Sequence, residues 1–460
     1  MMSMLLLLLL PGWAQQDGSA NPPQASSVNQ TNNNQAPSQP PYEQEKVDAD
    51  TRPLSGTEYL SLGMPERARN VVNASIRADE RLDSNPSTRG TGYVWRPDTD
   101  VYGDLTLNRS WKRNSFTAEY DGGGTFYGNT DPQTFQFLKL AQVFAWDRWR
   151  VTFADQATYS PESAFGYAGP VTFSNGLGGT NVGLIPNQTI LTGESTRVSN
   201  TSVGEVDYTL SRRSTLTGAA AYGVLDYFAN GVVNSNQING SLGYNYALTP
   251  HSKVALAYAY TEIRFPFSAN NTSKTEFQTP SVSYAYQRTA RLSFQVSGGA
   301  QVARSISPGF ATQTDVFPYA QGLVSYAWRR TSLSVLGAHS ILSGGGLYPA
   351  TNTTLTQLTL SRVFSRKWDG ALIGGLAYNS PLQAYNVGPI AAQKSHSAYA
   401  GFDVHRSLGR YAGLYFMYNF QRQVVNSFCT GALCAQDFLR HSIGVGLDWH
   451  FRPITFHVKD

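Results

Sequence analysis

The chain has 460 residues with a formal net charge of +4; only 14% are charged and 12% are aromatic, including 26 Tyr and 23 Phe. Average soluble domains carry about 25% charged residues, yet hydrophobic residues reach only 41% and the mean hydropathy is −0.30, which argues against a bundle of membrane helices. No long basic run points to a nucleic-acid partner, and two cysteines without a CxxC pair argue against a structural zinc site.

Leu5 to Leu10 form an unbroken apolar run, followed by Pro11, Gly12, Trp13 and Ala14. A run this short cannot span a bilayer as a helix. It reads as the apolar core of a secretory signal peptide over 1–14, cut after Ala14. Residues 15–56 are rich in Asn, Gln and Pro. Such a segment buries too little apolar surface to offset its ordering entropy, so it reads as a disordered periplasmic leader. Thr57 to Arg69 reads as a short helix or a plug element at the head of a barrel domain over 57–460.

From about 71 to 451 the pattern is alternation with period two, broken by turns. In Lys253–Thr261, Val254, Leu256, Tyr258 and Tyr260 alternate with Ala255, Ala257 and Ala259. In His441–Phe451, Ile443, Val445, Leu447, Trp449 and Phe451 alternate with Ser442, Gly444, Gly446, Asp448 and His450. Gln237–Leu248 and Arg291–Ala303 repeat the pattern. One face is apolar and aromatic, the other small or polar. A soluble sandwich also alternates, but long strands ending in Tyr and Trp suit aromatic girdles at two membrane interfaces.

Short links, as at Lys112–Asn114, Arg212–Ser214 and Arg329–Thr331, alternate with long ones near 122–133, 159–199, 226–236, 264–276, 304–316, 342–353, 379–395 and 422–438. These links join 17 strands. Val71–Arg81 supplies another, with a further long link near 85–100. The expectation is an all-β fold: a single transmembrane antiparallel β-barrel of about 18 strands, with 16 as the fallback. Short turns lie on the periplasmic side with both termini, and long loops lie outside.

With its apolar leader, its short-turn and long-loop alternation and a last strand ending in Trp449 and Phe451, the chain resembles porin-type outer-membrane β-barrels. Ser160–Gly166 and Asn200–Val203 look like stretches found in uncharacterised barrels of this broad type. Such barrels often end on their last aromatic. Here Arg452 to Asp460 follow, and Phe456 is the candidate for a displaced terminal signal to the barrel assembly machinery. The resemblance implies outer-membrane lipid as the surrounding partner, small hydrophilic solutes as cargo, and a homo-oligomer by analogy with trimeric porins.

The third outer loop of porins typically folds inward, so the resemblance implies a constriction within 159–199. Between Glu162 and Glu194 that loop carries no Asp, Glu, Lys or Arg. Phe165, Tyr167 and Phe173 are its candidate lining; a surface loop over the mouth is the equal alternative. Period-two parity turns Glu119, Asp121, Arg150, Glu205 and Asp207 inward as candidate pore-lining residues. Acids predominate there, which favours cations, and the competing reading is a salt-bridged wall. Arginines gather at the short links, where they meet lipid phosphates and hold strand ends out of the lipid. Cys429 and Cys434, spaced C-x4-C in the last outer loop, suit a local disulfide; a metal site is the weaker alternative.

No nucleophile elbow, HExxH, P-loop or dinucleotide fingerprint occurs, and the seven histidines are scattered. No catalytic, cofactor or metal site is assigned. The functional expectation is a channel for passive diffusion of small hydrophilic solutes. The alternative is a non-conducting structural or surface-interaction barrel, with a barrel hydrolase a distant third.

Overall fold

In lipid, each backbone N–H and C=O must find its partner within the protein, which leaves closed barrels as the spanning form for strands. The computed structural model has that form. It describes residues 70–85, 94–127, 132–160, 196–228, 234–266, 272–289, 291–306, 312–344, 348–382, 394–425 and 437–456. The strands are β1 (Val71–Asp83), β2 (Arg96–Ser110), β3 (Asn114–Phe126), β4 (Gln133–Ala145), β5 (Trp149–Ser160), β6 (Arg197–Ser211), β7 (Ser214–Tyr227), β8 (Ser235–Thr249), β9 (Ser252–Pro266), β10 (Thr272–Thr289), β11 (Leu292–Ile306), β12 (Gln313–Ala327), β13 (Thr331–Gly344), β14 (Tyr348–Val363), β15 (Trp368–Pro381), β16 (Ser395–Ser407), β17 (Ala412–Val425), β18 (Phe438–His450) and the two-residue β19 (Ile454–Thr455).

Each long strand pairs antiparallel with its sequence neighbours, and β1 pairs with both β2 and β18. The closing register sets Ser75 opposite His450 and Asp83 opposite Ser442. The result is an 18-stranded barrel with one short addition. Val71–Arg81 is the core of the first strand, and the 16-strand fallback falls away. Past the last long strand, Ile454 and Thr455 pair with Val72 and Val71. The Phe456 N–H then donates to Asn70 O at 2.8 Å, so the chain beyond Phe451 runs along the foot of β1.

Side-chain direction follows the sequence period. On β9, Ala255, Ala257 and Ala259 are buried and face inward, while Leu256 is 63% and Tyr258 46% exposed on the lipid side. Tryptophans 111, 146 and 328 begin tight turns closed by their own N–H groups, onto Asn114, Trp149 and Thr331 carbonyls. Arg109 lies over the Trp111 ring and Arg406 over Trp368. These are the amphipathic pairs an interface selects.

Several of the long links are shorter than the alternation suggests. Thus β9 runs to Pro266 and β10 starts at Thr272, and β13 and β14 reach Gly344 and Tyr348. The strands outlast the apolar alternation because backbone pairing continues above the lipid, where the outer face turns polar. There Glu262 pairs with Arg264 and with Lys274 at 3.3 Å, and Lys274 meets Glu276 at 2.6 Å. This ladder marks the upper rim of the lipid band on β9 and β10. The signal and leader segments, most of 57–70 and the longest loop lie outside the described residues.

Replacing Leu256 by Arg puts a charge on the lipid face about half-way up an apolar band of ~25 Å. It is expected to lower the folding free energy by about 2–4 kcal/mol, read from reversible urea titration in lipid vesicles.

Candidate functional site: the lumen and an inward-turned hairpin

Eighteen strands enclose a lumen too wide for wall side chains alone to fill; about eight strands is the size at which they suffice. The wall is divided by charge. Among the described residues from β7 to β14, only Lys253 and Asp315 occupy charged inward positions. From β15 through the closure to β6, inward positions hold twelve carboxylates and seven Arg or Lys.

The five sequence-selected residues all lie in this charged arc with inward parity. Glu119 and Asp121 on β3 stand opposite Lys139 and Phe137 on β4. Lys139 Nζ meets Glu119 Oε2 at 3.4 Å. Arg150 on β5 stands opposite Asp207 on β6, and Thr152 opposite Glu205. Asp207 accepts a hydrogen bond from Thr217 at 2.7 Å. Phe165, Tyr167, Phe173, Cys429 and Cys434 lie outside the described residues.

A denser network lies at the closure. Arg77, Asp79, Arg81 and Asp83 of β1 all point inward, and Asp79 stands opposite Asp100 of β2. Arg81 Nη2 reaches Asp98 Oδ2 at 2.6 Å and Asp100 Oδ2 at 2.7 Å. Arg440 Nε of β18 donates to Asp83 Oδ2 at 2.7 Å. Tyr415 donates to Asp79 Oδ1 at 2.8 Å. Nearer the end that carries the tight turns, His405 lies between Asp369 at 3.1 Å and Asp448 at 3.2 Å. The sequence signal was available: Arg77, Asp79, Arg81 and Asp83 recur at period two. Reading the segment only for strand count missed its charged face.

The second feature is a break in the wall. The ladder between β12 and β13 ends at Ala320–His339, although both strands continue outward. The cause is a proline. The Ala327 N–H bonds Arg291 O on the β11 side, while Trp328 bonds Thr331 across the turn into β13. Backbone direction alternates along a strand, so the even residues of β12 bond toward β13. The next bonded pair would be Pro318 with Ile341, and Pro318 has no N–H to give. Pro280, which also lacks the N–H, only interrupts the β10–β11 ladder, which resumes beyond it. Pairing between β10 and β11 skips from Gln278–Val302 to Ser281–Gly299. There the backbones approach so closely that a Cβ on Gly299 would lie 2.1 Å from the Pro280 carbonyl oxygen.

Freed from β12, the outer half of the β13–β14 hairpin turns into the lumen. The Ile341 N–H donates to the Gln301 side-chain oxygen on β11 at 2.8 Å. Ile341 and Ala350, on what would be the lipid-facing side, pack against Ile263, Phe265, Phe277 and Ala303 of the inner wall, with Phe317 at the margin. Phe265 and Phe277 are each 2% exposed. Without the hairpin they would face a watery lumen, at about 1.5–3 kcal/mol for each ring uncovered. Eight paired residues on β12 at the usual rise and tilt place the split roughly 20 Å from the tight turn into β13. The sequence reading took 342–353 for a plain outer link. Pro318 in an alternating strand was the available signal.

No family model matches the chain, and no curated protein matches it. Among solved structures it is similar to OpdQ of Pseudomonas aeruginosa, with 10% identity over 84% of this chain and 98% of that one and a TM-score of 0.42. It is similar to a BenF-like porin from Pseudomonas fluorescens Pf-5, with 12% identity over 84% and 98% and a TM-score of 0.41. A third is the ferric yersiniabactin uptake receptor FyuA of Yersinia pestis, with 10% identity over 84% and 80% and a TM-score of 0.40. At these values the likenesses assign neither strand correspondence nor cargo to this chain.

Two substitutions test the hairpin's seat. Gln301→Leu leaves the Ile341 N–H without its acceptor and is expected to cost about 1–3 kcal/mol in urea titration of the folded barrel. Pro318→Thr restores the missing donor. It is expected to extend the β12–β13 ladder, seen as new hydrogen-exchange protection at residue 318.

Proposed function

We propose that this chain is an outer-membrane channel through which small hydrophilic solutes diffuse passively, with both termini on the periplasmic side. The observation that carries the reading is the pairing of an apolar outer wall with a polar inner wall around a closed barrel of 18 strands. A wall of that size leaves an aqueous interior. In this reading Glu119, Asp121, Arg150, Glu205 and Asp207 line the water-filled path. Segment 161–195, with Phe165, Tyr167 and Phe173, narrows it further. A Cys429–Cys434 disulfide stiffens the last outer loop. Lipid surrounds the barrel, and the barrel assembly machinery inserts it. The protein assists diffusion and performs no chemical step.

One observation favours the second reading, a non-conducting envelope barrel: the β13–β14 hairpin occupies part of the lumen.

Single-channel recording of the refolded protein in a planar bilayer separates the two readings. The channel reading expects discrete steps that grow when residues 163–193 are deleted. Steps unaffected by the deletion discard the loop constriction and keep the channel. Silence from a barrel shown to be folded by its heat-modifiable gel mobility leaves the structural reading in its place.

A further inference from the structure

At the end that carries the tight turns, one side chain joins strands that share no ladder. His405 of β16 stands directly opposite Asp369 of β15. Its Nδ1 lies 3.1 Å from Asp369 Oδ1, and its Nε2 lies 3.2 Å from Asp448 Oδ1 on β18. The second contact skips a strand, because β17 lies between β16 and β18. Gly413 of β17 makes it possible. It pairs with Ser407 on one side and with Asp448 on the other, and a Cβ there would collide with both His405 Nε2 and Asp448 Oδ1.

An ionised carboxylate only accepts hydrogen bonds, and a neutral imidazole has a single N–H. Holding Asp369 and Asp448 together therefore takes an imidazolium, with one N–H donated to each. Asp448 is 5% exposed, so a donor withdrawn from it is not simply replaced by water. The other groups around the ring carry both signs. Asp403 lies two residues away on the same face of β16, and Tyr415 of β17 stands opposite His405. His450 Nε2 lies 2.9 Å from Asp448 Oδ2, and Arg77 of β1 stands opposite Asp448.

We propose that His405 is a proton-dependent latch. As an imidazolium it ties β15 to β18 through β16 and over β17, beside the ring closure. Loss of one proton frees one of its two arms. The latch holds while the ring is protonated and both carboxylates are ionised, and it opens as pH rises. It does not depend on whether the barrel conducts.

The full chain, refolded in lipid vesicles, is unfolded in urea at about pH 6 and at about pH 10, on either side of the range in which histidine changes charge. His405→Ala, Gly413→Ala and His450→Ala are compared with the wild type. At the lower pH the midpoint of His405→Ala is expected roughly 0.5 M below that of the wild type. At the higher pH this gap is expected to shrink to under about half, since neutral His405 keeps one arm. Gly413→Ala closes the slot but keeps the ring, and it is expected to show the same pH-dependent gap. His450→Ala is expected to keep the wild-type pH dependence. His405→Gln takes the place of His405→Ala if that variant does not fold, with the same outcomes expected. A His405 gap that is equal at both pH values overturns the latch. Gly413→Ala unfolding like the wild type at the lower pH overturns the reach over β17. Loss of the pH dependence in His450→Ala instead overturns the assignment to His405.

Discussion

The structure depends on one constraint: inside lipid, a backbone hydrogen-bonding group without a partner costs several kcal/mol. Ring closure between β1 and β18 satisfies it around the circumference. Tight turns satisfy it at one end of the barrel, where Trp111, Trp146 and Trp328 each close onto their own strand pair. Where Pro318 makes a bonded pair with Ile341 impossible, the strands separate. The Gln301 side chain accepts the Ile341 N–H in place of the neighbouring strand.

That local failure has a distant consequence. A hairpin that cannot stay in the wall must put its lipid-facing side somewhere apolar. The inner wall of β9–β12 supplies Phe265, Phe277 and Ile263, which would otherwise stand in a watery lumen. Two surfaces unsuited to their default surroundings cover each other.

Much of this was legible in the residues. Alternation at period two gave the strands and their two faces. Parity turned Glu119, Asp121, Arg150, Glu205 and Asp207 inward, and the register gives them that same orientation. The charged face of β1 was also visible, because Arg77, Asp79, Arg81 and Asp83 alternate with Ala78, Glu80 and Leu82. Strand ends were less legible. Hydrophobic alternation stops where lipid stops, whereas the ladder between β9 and β10 continues through Glu262, Arg264, Lys274 and Glu276.

By itself, then, the sequence determined the architecture: all-β, membrane-facing outside, polar inside, with a strand count set by the spacing of its turns. These are local properties, since the period of a strand and the chemistry of a turn depend on neighbours along the chain. Only the tertiary structure decided which charges meet across the closure and which way the β13–β14 hairpin turns. Those depend on contacts between residues far apart in sequence, such as Arg440 with Asp83 and Ile341 with Phe277. No window of sequence holds both partners, so the register of the closed ring has to bring them together first.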